Sequence, residues 1–211
     1  MGSKQVTFPS GELSLEGIIA IPPGVEPFPA VVVCHPHPLY GGSMDNNVVS
    51  GIAEALLQVG VISFKFNFRG VGGSQGTSGQ GKGEQEDALA AISFLATAGE
   101  VDRQRIGLAG YSAGASFALP VCHQDERIKA LAAVSLPLGM SELGSFKDCT
   151  KPKLLLSGAN DDFTPADRFL EFCQGLADPK ECHTIEGADH FWVGHEAVMA
   201  KKVSSFFGKV L

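Results

Sequence analysis

The sequence lacks any concentration of positive charge. The chain contains 16 lysines and arginines against 23 aspartates and glutamates, which gives a formal net charge of −7. Its basic residues are scattered, with no more than occasional pairs such as Lys201-Lys202. Because nucleic-acid binding depends on clustered lysine and arginine side chains that neutralise phosphates, we expect no nucleic-acid partner.

Long hydrophobic runs are also missing. Apolar runs such as AVVVC at residues 30–34 are far shorter than the roughly 18 residues that a membrane-spanning helix needs. The first residues do not show the basic-then-apolar pattern of a secretory signal peptide. We therefore expect no membrane partner.

Cysteine usage is sparse and unpaired. The five cysteines are odd in number and show no C-x-x-C spacing; they stand at positions 34, 122, 149, 173 and 182. This pattern is typical of free thiols in a reducing compartment, so the sequence predicts a cytoplasmic protein without a zinc site. His35 and His37 could suggest a metal pair, but no carboxylate or cysteine at suitable spacing accompanies them. Hydrogen bonding within their loop is the preferred interpretation.

The chain is rich in glycine and apolar residues. Glycine contributes 26 of 211 residues, and apolar residues make up 44%. A chain of this length can bury one substantial core. We expect a single domain over residues 1–211 without a separate cap, because only about 15 residues separate the strand pattern that ends at Ser135 from the one that begins near Lys153.

Short apolar runs alternate with helical periodicity after residue 30. The strand patterns lie at 30–34, 61–66, 105–110, 131–135, 153–158 and 182–187. Helical patterns lie between them, and the last one extends from Val198 to Val210. This alternation predicts an α/β fold with a mainly parallel sheet and helices on both faces. The first 21 residues predict an antiparallel hairpin at one edge.

One glycine-rich segment, residues 70–86, predicts an exposed loop before a helix. Its GTSGQGKG stretch resembles the phosphate-binding pattern G-x-x-x-x-G-K-[ST], but Gly83 replaces the required hydroxyl residue. We reject a nucleotide site here. Arg69, just before the segment, is expected to bind a carboxylate such as Glu84 or Asp87.

The segment GLAGYSAGASF at 107–117 places Ser112 between two glycines in the pattern G-x-S-x-G. A sharp turn from a strand into a helix lifts such a serine above the sheet, and it needs small neighbours because the backbones approach closely. A serine hydroxyl is a weak nucleophile and needs a base held by a carboxylate. Ser112 is therefore a candidate nucleophile.

Two later loops supply the partners that this serine needs. Asp161 stands three residues after Gly158, at the end of an apolar strand, and His190 follows the next strand. We predict a triad of Ser112, Asp161 and His190. Asp162 is the rival carboxylate, and Asp189 is expected to be a turn residue.

Five motifs together resemble those of the α/β-hydrolase fold superfamily. They are HPHPLYGGSMDN (35–46), FNFRGVGGS (66–74), GYSAG (110–114), GANDDFTP (158–165) and GADHFW (187–192). The chain is similar to small lidless bacterial hydrolases related to dienelactone hydrolases. Dienelactone hydrolases themselves use a cysteine where this chain has Ser112.

Acyl transfer also needs hydrogen-bond donors for the developing oxyanion. The amide of Ala113 is one candidate. The second should come from the loop after residue 34, where Pro36 has no N–H. We therefore predict His37, with Leu39 and Tyr40 as reserves.

Several apolar residues fall in loops at the expected active face and predict an apolar acyl or aromatic pocket. These candidate substrate-binding residues are Leu39, Tyr40, Tyr111, Leu138, Phe163, Phe191 and Trp192.

These patterns together predict a serine hydrolase that cleaves carboxylic esters of small to medium acyl groups through an acyl-enzyme. The alternatives are a thioesterase, peptidase or lactonase with the same triad, or a non-catalytic binding protein. We expect a small-molecule ester substrate, no cofactor and no metal, in a monomer or homodimer.

Overall fold

The computed structural model describes residues 2–139 and 145–211, which form one α/β domain. Its eight described strands are β1 (Gly2–Ser10), β2 (Leu13–Ile21), β3 (Phe28–Cys34), β4 (Ile62–Phe66), β5 (Val101–Tyr111), β6 (Ile128–Val134), β7 (Lys153–Gly158) and β8 (Lys180–Ile185). Its five described α-helices are α1 (Asn47–Gln58), α2 (Lys82–Leu95), α3 (Ala113–Gln124), α4 (Ala166–Gln174) and α5 (Glu196–Val210). The expected α/β fold is confirmed.

All eight strands belong to one sheet in the order β1-β2-β4-β3-β5-β6-β7-β8. The hairpin of β1 and β2 pairs antiparallel, and β2 also joins β4 antiparallel. The strands from β4 to β8 are parallel to their neighbours. The predicted edge hairpin is therefore present.

Helices cover both faces of the sheet, which explains why the central strands are apolar throughout. One core cluster lies between the sheet and α2, α3 and α4, and it includes Phe64, Leu108 and Phe169. The second cluster lies between the sheet and α1 and α5, and it includes Val33 and Phe207. The parallel strands direct their carboxyl ends to one edge, where the loops after β3, β5, β7 and β8 meet.

A buried ion pair fixes the glycine-rich segment to the sheet. Asp87 is fully buried and accepts hydrogen bonds from the Arg69 guanidinium at 2.8–3.1 Å and from the Ser10 hydroxyl at 2.7 Å. Arg69 also contacts the exposed Glu86 at 3.0 Å. Of the two carboxylates suggested by the sequence, Asp87 is the partner of Arg69.

Glu84, at the start of α2, binds the loop that precedes the helix and not Arg69. Its carboxylate accepts hydrogen bonds from the amides of Gly79 and Gly81 and from the Ser78 hydroxyl, at 2.8–2.9 Å. Burial raises the pKa of Glu84, but these hydrogen bonds outweigh it, so that the pKa lies below its usual value. The loop that resembled a phosphate-binding motif therefore surrounds a carboxylate of its own.

Candidate active site

Ser112 occupies a strained turn between β5 and α3. Its backbone has φ 53° and ψ −123°, a conformation that non-glycine residues rarely adopt. A Cβ on Gly110 would lie 2.6 Å from Ala115 Cα, and one on Gly114 would lie 2.5 Å from the Cys34 carbonyl oxygen. Both positions require glycine because backbone passes through the space of a side chain.

The three predicted triad residues lie within hydrogen-bond distance of one another. Ser112 Oγ lies 3.0 Å from His190 Nε2, and His190 Nδ1 lies 2.9 Å and 3.0 Å from the two oxygens of Asp161. Each side chain follows a different strand of the sheet: β5, β7 and β8. The arrangement fits an imidazole that donates from Nδ1 and accepts from the serine at Nε2.

Asp161 is buried and held by several donors. Its Oδ1 atom accepts hydrogen bonds from the amides of Phe163 and Thr164 at 2.9 Å and 3.0 Å. Burial raises the pKa of Asp161, but hydrogen bonds from His190, Ser135 and the Phe163 amide outweigh it. The carboxylate is therefore kept ionised and faces the imidazole.

The two rival carboxylates lie elsewhere. Asp162 is exposed, while the carboxylate of Asp189 accepts hydrogen bonds from the amides of Phe191 and Trp192 at 3.0 Å and 2.8 Å. Asp189 is thus a turn residue, as the sequence predicted.

Tyr111, directly before the nucleophile candidate, also contacts His190. Its hydroxyl donates a hydrogen bond of 2.9 Å to the His190 backbone carbonyl. Burial, followed by the charges of Asp161 and Asp189, raises the pKa of Tyr111, so its hydroxyl stays protonated as a donor.

The loop after β3 leaves one amide of interest unengaged. The Leu39 amide donates to His37 Nδ1 at 3.2 Å, and the amides of Tyr40 and Gly42 both donate to the His37 carbonyl at 3.1 Å. The His37 amide has no acceptor within residues 2–139 and 145–211. The amides of Leu39 and Tyr40, the reserve oxyanion donors, therefore already donate hydrogen bonds within the loop. His37 and Ala113 both line the cavity beside Ser112.

His35 is buried, and both of its ring nitrogens form hydrogen bonds with the backbone. Nδ1 donates to the Pro36 carbonyl at 2.7 Å, and Nε2 accepts from the Phe68 amide at 3.1 Å. Burial lowers the pKa of His35 to about 4, which keeps it neutral. In the described part of the chain, no group of three or more histidine, cysteine, aspartate or glutamate residues could hold a metal ion.

A cavity of about 390 Å³ opens above the triad. Four predicted substrate-binding residues line it: Tyr40, Tyr111, Phe163 and Phe191. The sequence analysis assigned no substrate-binding role to the further lining residues Pro36, Gly41, Gly42, Asn46 and Pro137. Pro137 could have been noticed because it follows a strand end, as the triad residues do.

Three predicted substrate-binding residues, Leu39, Leu138 and Trp192, lie outside the described lining of this cavity. Trp192 is fully buried in the core between the sheet and α5, with its indole nitrogen donating to Ser135 Oγ at 3.0 Å. Leu138 packs partly buried against the other core cluster. Leu39 is 76% exposed.

Ser135 is a residue of the site that the sequence analysis missed. It directly follows β6, has φ 47° and is fully buried. Its hydroxyl accepts the Trp192 hydrogen bond and contributes to lowering the Asp161 pKa. The sequence could have indicated Ser135, because it directly follows a strand, as Ser112 does.

No described helix is long and apolar enough to cross a membrane.

Comparison with known proteins agrees with this geometry. Residues 30–202 match the family model of the alpha/beta hydrolase domain. An uncharacterized protein of Rickettsia prowazekii is 32% identical over 186 residues, which cover 84% of this chain and 78% of that protein. An uncharacterized protein of Mycobacterium tuberculosis is 29% identical over 182 residues, covering 77% of this chain and 63% of that protein.

Two solved structures share the fold over nearly the whole chain. An alpha-beta serine hydrolase homologue from Coxiella burnetii is 32% identical with a TM-score of 0.89, and the match covers 97% of both chains. A protein from Xanthomonas campestris, described as an a/b serine hydrolase without lid, is 27% identical with a TM-score of 0.85 and coverage of 97% and 93%. The chain belongs to the alpha/beta hydrolase family.

Proposed function

We propose that this chain is a serine hydrolase that cleaves carboxylic esters of small to medium acyl groups through an acyl-enzyme intermediate. The observation that carries the proposal is the continuous set of hydrogen bonds from Asp161 through His190 to Ser112 Oγ, with distances of 2.9–3.0 Å. This arrangement turns a weak alcohol nucleophile into a reactive one at neutral pH.

In the first half of the reaction, Ser112 Oγ attacks the ester carbonyl while His190 Nε2 takes up the hydroxyl proton. Asp161 holds the imidazole at Nδ1 and stabilises the imidazolium that forms. His190 then gives the proton to the departing alcohol oxygen, leaving the acyl group on Ser112. Water repeats the sequence in the second half and releases the carboxylic acid.

The negative charge on the carbonyl oxygen would be stabilised by the amides of Ala113 and His37. Ala113 begins α3, so its amide lies at the positive end of the helix dipole. The His37 amide is unengaged among the described residues, and its loop is held in place by hydrogen bonds of its own. Donors fixed before the reaction cost no reorganisation when the charge develops.

The cavity supports an uncharged substrate of limited size. No Lys, Arg, Asp or Glu side chain is found among the described residues that line its volume of about 390 Å³. Drug-sized ligands occupy pockets of about 300–1,000 Å³, so a small to medium ester fits. Apart from the substrate and water, the proposed steps use only side chains and amides of the chain. We also propose that the site opens directly to solvent without a separate cap domain.

The described similarity to serine hydrolases of Coxiella burnetii and Xanthomonas campestris supports this chemistry, and the name of the second supports the lidless arrangement. The curated relatives are uncharacterized and add no substrate.

A fluorophosphonate probe tests the nucleophile. We expect covalent labelling at Ser112, located by mass spectrometry of the digested protein, and loss of labelling and turnover in Ser112→Ala. Ser116→Ala is the matched control, because Ser116 lies one turn along α3 and its buried hydroxyl lacks a hydrogen-bond partner in the described residues. A probe that leaves Ser112 unlabelled would favour a non-catalytic binding protein.

A substrate comparison tests the ester assignment. We expect p-nitrophenyl butyrate to be turned over with higher kcat/KM than a butyryl thioester, a lactone or an aminoacyl amide. A higher value for one of the other three would reassign the chain to a thioesterase, a lactonase or a peptidase with the same triad.

A further inference from the structure

Two aromatic rings flank the His190 imidazole at the mouth of the cavity. The Phe163 ring lies 4.5 Å from the imidazole centre at an interplanar angle of 43°, and the Phe191 ring lies 5.5 Å away at 85°. The two phenyl rings are 6.3 Å apart and nearly perpendicular, at 89°. Together they form a corner with the imidazole, which we call the aromatic corner.

The two phenyl rings of the aromatic corner are exposed, although hydrogen bonds hold the backbone that carries them. The Phe163 and Phe191 side chains are 63% and 57% exposed. Their amides nevertheless donate to the carboxylates of Asp161 and Asp189 at 2.9 Å and 3.0 Å. Large apolar rings held in this way expose surface that a bound group can cover.

The reaction determines which part of an ester reaches this corner. His190 Nε2 gives its proton to the departing alcohol oxygen, so that oxygen must lie within hydrogen-bond distance of Nε2. The carbon attached to the oxygen then lies next to the rings that flank the imidazole. The carbonyl oxygen instead faces the amides of His37 and Ala113.

We propose that Phe163 and Phe191 form the binding surface for the leaving alcohol of the ester, and that they select a neutral aromatic alcohol over an aliphatic one of similar size. This inference rests on the proposed serine ester hydrolase function. A phenyl group that enters the perpendicular corner meets one ring face and one ring edge, the two arrangements that aromatic pairs prefer. A saturated ring fills the same space without that electrostatic complementarity.

A matched pair of esters isolates this preference. Benzyl acetate and cyclohexylmethyl acetate share the acyl group, differ in alcohol aromaticity and release primary alcohols of similar acidity. Because both form the same acetyl-enzyme, a difference in kcat/KM reports the acylation step. We expect kcat/KM for benzyl acetate to exceed that for cyclohexylmethyl acetate by about twofold to tenfold, from the usual strength of aromatic pairs.

Phe163→Leu and Phe191→Leu keep an apolar side chain and remove the ring. Each should reduce the benzyl-to-cyclohexylmethyl ratio of kcat/KM, and the double variant should bring it close to one. Phe172→Leu is the aromatic control, because Phe172 lies partly buried on α4 and outside the described lining of the cavity. Leu170→Ala, on the exposed side of α4, controls for loss of apolar surface.

Acyl transfer to an added alcohol gives a second measurement. When p-nitrophenyl acetate supplies the acetyl-enzyme, benzyl alcohol competes with water. Its oxygen attacks the acyl carbon as His190 takes its proton, and His190 then returns that proton to Ser112 Oγ as the bond between the acyl group and Ser112 breaks. We expect more benzyl acetate than cyclohexylmethyl acetate from equal concentrations of the two alcohols, and less of this excess in Phe163→Leu.

The outcomes separate the two proposals. Absence of ester turnover in the wild-type chain overturns the proposed function and this inference with it. Turnover with an unchanged benzyl-to-cyclohexylmethyl ratio in both leucine variants overturns the inference alone. A change in preference for acyl length at constant alcohol, without a change in that ratio, places the rings on the acyl side and also overturns it.

Discussion

The Tyr111 hydroxyl donates a hydrogen bond of 2.9 Å to the backbone carbonyl of His190. The residue before the proposed nucleophile thereby holds the loop of the proposed base. Tyr111→Phe would leave this buried carbonyl without its donor, at a cost of about 1–3 kcal/mol in unfolding free energy. We expect kcat to fall as well, because the Ser112–His190 distance loses a restraint.

Urea denaturation and ester hydrolysis by the same preparation measure both effects. Tyr40→Phe is the matched control, since the Tyr40 side chain is 88% exposed, and it should change the unfolding free energy by less than about 0.5 kcal/mol. Equal stability of wild type and Tyr111→Phe would contradict the proposed restraint.

Ser112→Gly should separate activity from stability. The wild-type residue has φ 53° and ψ −123°, a strain worth about 1–3 kcal/mol, and glycine adopts this conformation without a Cβ clash. We expect Ser112→Gly to be inactive yet about 1 kcal/mol more stable than Ser112→Ala. Thermal unfolding of the two variants measures the difference, and a less stable glycine variant would argue against strain at this turn.

Trp192→Phe tests the structural position of Trp192 against the binding role that the sequence suggested. The substitution removes the donor to Ser135 Oγ and opens space in a fully buried site. We expect a loss of about 2–4 kcal/mol in unfolding free energy, from the cavity and the lost hydrogen bond together. KM for small esters should remain within about twofold, whereas a large rise in KM at unchanged stability would restore the binding role.

Asp87→Asn tests the buried ion pair with Arg69. Asp87 is fully buried and its carboxylate serves several donors at once. Removing the charge leaves Arg69 without its buried partner, so we expect a loss of about 3–5 kcal/mol in unfolding free energy. Glu86→Gln removes the exposed partner of the same guanidinium and should cost at most about 1 kcal/mol. Similar losses in the two variants would contradict this distinction.

His35 should make stability depend on pH. Burial lowers its pKa in the folded chain to about 4, from an ordinary value near 6.5. Between these two values the unfolded chain binds a proton at His35 and the folded chain does not, so stability decreases as the pH falls through this window. The full effect is about 3 kcal/mol.

Urea titrations between pH 4.5 and 7.5 compare wild type with His35→Gln. The variant should be less stable at pH 7.5 but lose less of its stability on acidification, because it has no imidazole to protonate. Parallel pH profiles for the two proteins would show that His35 does not titrate in this way.

Much of the fold could be predicted because its signals are local. Continuous apolar strands and amphipathic helices follow from burial, and Ser112, Asp161 and His190 each stand directly after a strand pattern. The parallel sheet then brings these positions to one edge without further information. The choice of Asp161 over Asp162 followed from the same spacing and agrees with the observed contact to His190.

Side-chain direction within loops could not be predicted in this way. Phe191 and Trp192 are neighbours in sequence, yet the first is 57% exposed and the second is fully buried. Trp192 has φ 63°, a backbone conformation that no local pattern indicated and that turns its side chain into the core. The hydrogen bond to Ser135 joins residues 57 positions apart, so it depends on the assembled sheet.

The three proposed catalytic side chains follow β5, β7 and β8, and these strands are joined through β6 by parallel backbone pairing. Their spacing is therefore a property of the sheet itself and not of a hinge between two bodies. Heating should consequently abolish hydrolysis at the temperature at which the whole domain denatures, with no inactive folded form at a lower temperature.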